Sequence, residues 1–156
     1  MEFALYALTA LISFLGVFVG GILAFISPEE MPTGKKYFPV LQAACVLAFA
    51  AFFSHFLGLP GALRFAIYLG VLAYAFFKQN TVIVYYLLGI LLSFVSSDNN
   101  ALLTLSMIAF IYGVASGSLY AAASKLPKIR AISKLLFIHS PFLFLSIFTE
   151  FFRNVF

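Results

Sequence analysis

The feature that most constrains this chain is its long runs without a charged side chain. They extend from Phe3 to Pro28, Tyr37 to Leu63, Gln79 to Ser97 and Asn99 to Ser124, each near or beyond the roughly 18 apolar residues that mark a bilayer-spanning helix. Backbone N–H and C=O groups placed in hydrocarbon must be bonded within the protein, which leaves only helices and closed barrels. The runs are continuous and lack the alternating polar positions of a barrel strand, so helices are expected. Only 9% of the residues are charged, against about 25% in a soluble domain. This excludes a soluble enzyme or a nucleic-acid-binding domain, and the net charge of +4 reads as a topology signal.

The pattern predicts an all-α integral membrane protein, a compact bundle of six transmembrane helices forming one domain over residues 1–156. The expected spans are 3–26, 37–57, 61–78, 80–96, 100–123 and 130–152, separated at SPEEMPTGKK, GLPG, KQN, SSDNN and SKLPK. The third and fourth are short and suffice only if Arg64 and Lys78 snorkel toward the interface. The chain opens Met1-Glu2 with no basic stretch, and its first run outlasts a signal-peptide core, so that run is expected to remain as a helix.

Six spans put the loops after helices one, three and five on one side. Those loops carry Lys35, Lys36, Lys78, Lys125, Lys128, Arg130 and Lys134, while the other side has Arg64 and Arg153. The positive-inside rule then places both termini outside, in the cytoplasmic (plasma) membrane, with the basic loops in the cytoplasm. With no Trp in the chain, Tyr6, Tyr37 and Tyr120 are the expected interfacial anchors.

Small residues recur at helical spacing: Thr9, Ser13, Gly16 and Gly20 in the first span, Ala44, Ala48 and Ala51 in the second, Ala62, Ala66, Gly70 and Ala73 in the third. Gly89, Ser93 and Ser96 mark the fourth, and Ser106, Gly113, Gly117 and Ala121 the fifth. Gly16 with Gly20 and Gly113 with Gly117 have the Gly-x-x-x-Gly spacing that lets helix backbones meet closely. These stripes predict tight packing rather than a wide aqueous pore.

No phosphate loop, His-Glu-x-x-His, nucleophile elbow or cysteine pair is present, so no cofactor and no metal is expected from a motif. Lone Cys45 has no intrachain disulfide partner. Ser27-Pro28-Glu29-Glu30 has capping-box spacing, but Pro32 is expected to limit any helix there to one turn. Lys125, Lys128, Arg130 and Lys134 form a basic cluster suited to anionic lipid headgroups, at roughly 1 kcal/mol each.

On the opposite side His55, Arg64 and Asp98 form a candidate polar cluster, and His55 with Asp98 and Glu150 could form a binding site or metal site. The sixth span is the most informative. His139, Ser146, Glu150 and Arg153 fall within about a 60° arc, giving a polar stripe from the midplane to the surface. Pro141 removes a backbone donor and should kink the helix beside His139, freeing the carbonyl of Phe137. His139, Ser146 and Glu150, with Ser116 of the fifth helix, are therefore the candidate solute-binding residues, since an ionisable side chain inside a membrane is a functional hypothesis by default. The competing reading is a neutral His139 bonded to Ser116, Ser118 or Tyr112.

Three functions are compatible with this pattern. The first is transport or binding of a small neutral or lipophilic solute in a narrow pocket inside the bundle. The second is a non-catalytic subunit that packs against membrane-protein partners or a second copy through its small-residue stripes. The third is a lipid-modifying enzyme using His139 or His55 as a base with Glu150 or Asp98.

Overall fold

The computed structural model describes residues 3–77 and 80–155, and the side chains of 74–77 and 154 are outside that description. Lys78, assigned above to a basic loop, and Glu2 therefore lie outside the described residues. Among the described residues every regular element is helical: α1 (Phe3–Ile26), a 3-10 turn (Pro28–Glu30), α2 (Met31–Phe56), α3 (Gly61–Phe77), α4 (Thr81–Ser93), α5 (Asn99–Ala123), α6 (Lys128–His139) and α7 (Pro141–Val155).

Among the described residues four segments are long and apolar enough to cross a membrane: Phe3–Ile26, Pro28–Phe56, Asn99–Ala123 and Lys128–Arg153. The helices of the expected third and fourth spans are shorter, 17 residues in α3 and 13 in α4. At 1.5 Å per residue the 13 residues of α4 reach about 20 Å, less than the roughly 30 Å of a hydrocarbon core. Large apolar side chains stand exposed around the bundle, among them Phe137, Phe144 and Met107, as suits a protein whose surroundings are lipid.

Local chemistry sets most boundaries. α2 ends in a Schellman motif: Gly58 takes φ +64°, its N–H bonds to His55 O and the Leu59 N–H to Ser54 O. Glycine reaches this left-handed conformation without a Cβ penalty, and Pro60 then prevents continuation. Asp98 caps α5, its carboxylate accepting from the N–H groups of Asn100 at 2.8 Å and Ala101 at 3.0 Å. Asn80 caps α4 through Ile83 N–H.

One expectation is corrected. The second helix begins at Met31, six residues before the expected start at residue 37. Pro32 lies in its first turn, where no intrahelical donor is needed, so it starts the helix instead of breaking it. The sixth span bends where Pro141 predicts, into α6 and α7 meeting at Ser140.

The centre of the fold is α1 against α5, running parallel. Gly16 meets the backbone of Phe110, Gly20 that of Val114 and Gly117 that of Val17, so closely that an added Cβ would overlap a carbonyl oxygen in each case. The Ser13 hydroxyl donates to Ser106 O at 3.2 Å and that of Ser118 to Gly20 O at 3.0 Å, stitching the close contact with hydrogen bonds. α4 lies between α5 and α7, α2 packs on α5, and α3 packs on α2. No described side chain of α3 is buried. It is the outlier of the bundle.

Candidate functional site

The polar stripe of α7 is internal and occupied by the protein's own groups. Ser146 is fully buried and Glu150 is 4% exposed. The Tyr6 hydroxyl lies 2.6 Å from Ser146 Oγ, so Tyr6, expected as an interfacial anchor, is instead a buried link between the first and last helices. Glu150 Oε2 accepts from Ser96 Oγ at 2.8 Å, and Oε1 lies 3.3 Å from the Arg153 guanidinium, which also donates to Ser96 Oγ. Serine, carboxylate and guanidinium thus close one end of the bundle, called here the Asp98 end.

His139 is 1% exposed and is walled by rings, with Tyr85 edge-on at 5.7 Å and Tyr120 at 6.5 Å between centroids. Its Nδ1 is 2.9 Å from Leu135 O. A carbonyl only accepts, so Nδ1 carries the hydrogen and Nε2 keeps a lone pair, for which the structure provides no partner. None of the helix-five groups considered for His139 bonds to it: the hydroxyl of Ser118 is on Gly20, that of Tyr112 donates to Thr81 O, and Ser116 Oγ accepts from Gln42 Nε2 at 2.8 Å. Gln42 Oε1 is the second buried polar atom without a partner.

The Pro141 break forms as expected, but its freed backbone is not left open. The Ser140 hydroxyl donates to Phe137 O at 2.9 Å and the Tyr86 hydroxyl donates to Ile138 O. Tyr85, stacked on Phe142 at 4.3 Å, fills the space inside the bend and donates to Ser13 O at 3.0 Å.

The second candidate cluster divides. His55 and Arg64 come together, with Arg64 Nη1 3.3 Å from His55 Nδ1 and Arg64 Nε donating to Leu59 O at 2.5 Å. Asp98 is spent on the α5 cap. His55, Asp98 and Glu150 do not gather, and among the described residues no three His, Cys, Asp or Glu side chains could hold a metal ion. At the opposite, Lys128 end, Lys125, Lys128, Arg130 and Lys134 are exposed, with Lys128 Nζ reaching Phe25 O at 3.4 Å.

Charge and periodicity gave no sign of a further space, an apolar groove. A groove of about 580 Å³ lies between α2, α3 and α4, walled by Val46, Phe49, Phe53, Val71, Leu87 and Leu91. Among the described residues its lining carries one side-chain hydroxyl, that of Ser54, which is 3.1 Å from Tyr68 Oη. Leu57, Ile83 and Leu87 on its rim are about half exposed, so the groove opens sideways, toward lipid in a membrane. Neither His139, Ser146, Glu150 nor Ser116 lines it. The groove exists because α3 packs mainly on α2, a tertiary fact with no local signature. Gln42 could have been noticed as the sole amide in the second apolar run.

Comparison with protein families, curated proteins and solved structures finds no match. The site's own geometry carries the functional argument.

Proposed function

We propose that this protein binds a lipophilic molecule taken from the bilayer, in the groove between α2, α3 and α4. The observation that carries the reading is the groove itself: roughly 580 Å³ of apolar space, open toward lipid, beside a helix that packs mainly on α2. Apolar sites with few polar groups accept apolar ligands, and position within the bilayer decides what reaches them. This reading locates the lipophilic solute in the groove and gives Ser146, Glu150 and Ser116 the role of holding the helices around it. His139 keeps a buried acceptor, Nε2, without a partner.

The finer topology belongs to the same proposal. All six segments insert, α3 and α4 as a short pair, with both termini outside and the basic Lys128 end in the cytoplasm, against anionic lipid of the plasma membrane. The groove is tested with hexadecanol carrying a diazirine, photolysed in nanodiscs. Labelling should concentrate on Val46, Phe53 and Leu87 and fall several-fold in Gly70→Leu, because Gly70 lines the groove and has open space where its Cβ would be. Equal labelling of all lipid-facing helices, unchanged in Gly70→Leu, would refute it.

A second reading, a subunit of a larger membrane assembly, is favoured by the phenylalanine face of α7. Phe144, Phe148 and Phe151 are 73%, 61% and 54% exposed, and they line a second groove with Phe3 and Leu143. Native-gel migration in mild detergent separates the readings, since a subunit leaves the membrane with its partner.

A further inference from the structure

We infer that the groove holds one acyl chain of an anionic phospholipid whose headgroup phosphate rests on Arg64. This builds on the groove as a lipophile site and states what the occupant carries at its polar end.

The volume fits one chain. About 580 Å³ corresponds to roughly twenty groups the size of a water molecule, the scale of a single long hydrocarbon chain. The groove's Asp98 end is lined by Ser54, Leu57 and Leu59, and Arg64 sits directly on that end, its Nε bonded to Leu59 O. An acyl chain running down the groove therefore brings its head to the guanidinium.

Among the described residues no carboxylate pairs with that charge. Both partners of Arg64 are neutral, a carbonyl and the Nδ1 of His55; facing a guanidinium, which only donates, that ring nitrogen must accept. Between Met31 and Ser97, which covers all three groove helices, the sequence contains no Asp or Glu. Among the described residues the acids at the same end are committed, Asp98 to the α5 cap and Glu150 to Ser96 and Arg153. A half-buried guanidinium beside a lipid-facing groove gains most from an anion, and its planar fork matches phosphate oxygens in a way a lysine ammonium does not. The site opens sideways onto the bilayer, so the anion that reaches it belongs to a lipid. It is distinct from the Lys125–Lys134 cluster at the opposite end of the bundle.

The test is native mass spectrometry of the full chain with phosphatidylglycerol, phosphatidylcholine of matched chains, and oleate offered in parallel. Phosphatidylglycerol should be retained about tenfold more strongly than phosphatidylcholine. Arg64→Gln should abolish that preference while leaving the phosphatidylcholine adduct, Arg64→Lys should restore part of it, and Gly70→Leu should remove both adducts. Melting of each variant is followed, and Arg64→Lys keeps the test valid if Arg64→Gln unfolds. If Arg64→Gln and Arg64→Lys leave the preference intact while Gly70→Leu removes both adducts, the headgroup assignment fails and the groove stands. If Gly70→Leu keeps both adducts, the groove reading itself fails. Equal retention of the two phospholipids, or stronger retention of oleate, would overturn the phospholipid as occupant.

Discussion

Replacing Gly20 by alanine adds one methyl group at the tightest helix crossing, and the structure says where it must go. The new Cβ would overlap Val114 O and stand 2.8 Å from Val114 Cα, where ordinary contact begins at 3.4 Å. α5 must withdraw by at least about 0.6 Å. Backbone cannot swing aside as a side chain can, so the displacement loosens neighbouring contacts, including the Ser118 bond to Gly20 O. Overpacking of this kind costs about 1–3 kcal/mol, which for a chain of this length corresponds to a melting shift of about 2–12 °C.

Gly70→Ala provides the opposite sign. Nothing lies within 4 Å of its Cβ position, so the better helix propensity of alanine should leave stability unchanged or raise it by up to about 1 kcal/mol. Melting of the two variants in one detergent decides the matter. Equal melting, or a Gly20→Ala protein as stable as the parent, would show that α1 and α5 are not in backbone contact and refute the packing on which the fold rests.

Further expectations concern topology and the buried polar links. Single cysteines at Thr33, Asn99 and Ser124 in a Cys45→Ala background should be labelled from the inside, outside and inside respectively, and Thr33 and Asn99 reacting from the same side would defeat the proposed topology. Tyr6→Phe should lose about 0.5–1.5 kcal/mol by removing the Ser146 bond, with Ser146→Ala adding little more in the double variant; full additivity in detergent unfolding would mean the two do not interact. Glu150→Leu, which strands Ser96 and Arg153, should cost about 1–3 kcal/mol while Glu150→Gln costs less, and identical unfolding of both would remove the closing role given to the carboxylate. His139→Phe should be tolerated better than Leu135→Ala if ring packing is the main task of His139, and the reverse order in thermal melting would count against that.

Where local chemistry determines structure, the sequence was readable. Gly58 and Pro60 mark the end of α2, Asp98 the start of α5, and Pro141 the break between α6 and α7, because the glycine and prolines act through their own backbone and Asp98 through a carboxylate that reaches only the next turn. The start of α2 was misread because Pro32 was counted as a breaker without regard to its place in the first turn. The stripes of α1 and α5 carried real packing information, and Gly16, Gly20 and Gly117 lie at the contact. The partners of the polar stripe were not legible. Ser146 to Tyr6 and Glu150 to Ser96 join residues far apart in the chain, and periodicity within one helix cannot say which other helix will satisfy it. The groove was invisible for the same reason, since it is defined by how α2, α3 and α4 pack together.

The link between Tyr6 and Ser146 spans 140 positions, and this has a meaning for biogenesis. At synthesis rates of about 5–20 residues per second, roughly 7–28 s separate the emergence of these two residues from the ribosome. Throughout that interval α1 waits in the membrane with Tyr6 unmatched, first without α5 against its glycines and then without α7 against its tyrosine. Surveillance proteases that sense unassembled polar or small-residue faces therefore have a window in which to act, and it closes only when the last helix arrives. Truncations or bulky fusions at the C-terminus should on this account lower the steady-state amount of protein even when they leave α1 to α5 intact, and the loss should be reversed by deleting the responsible membrane protease.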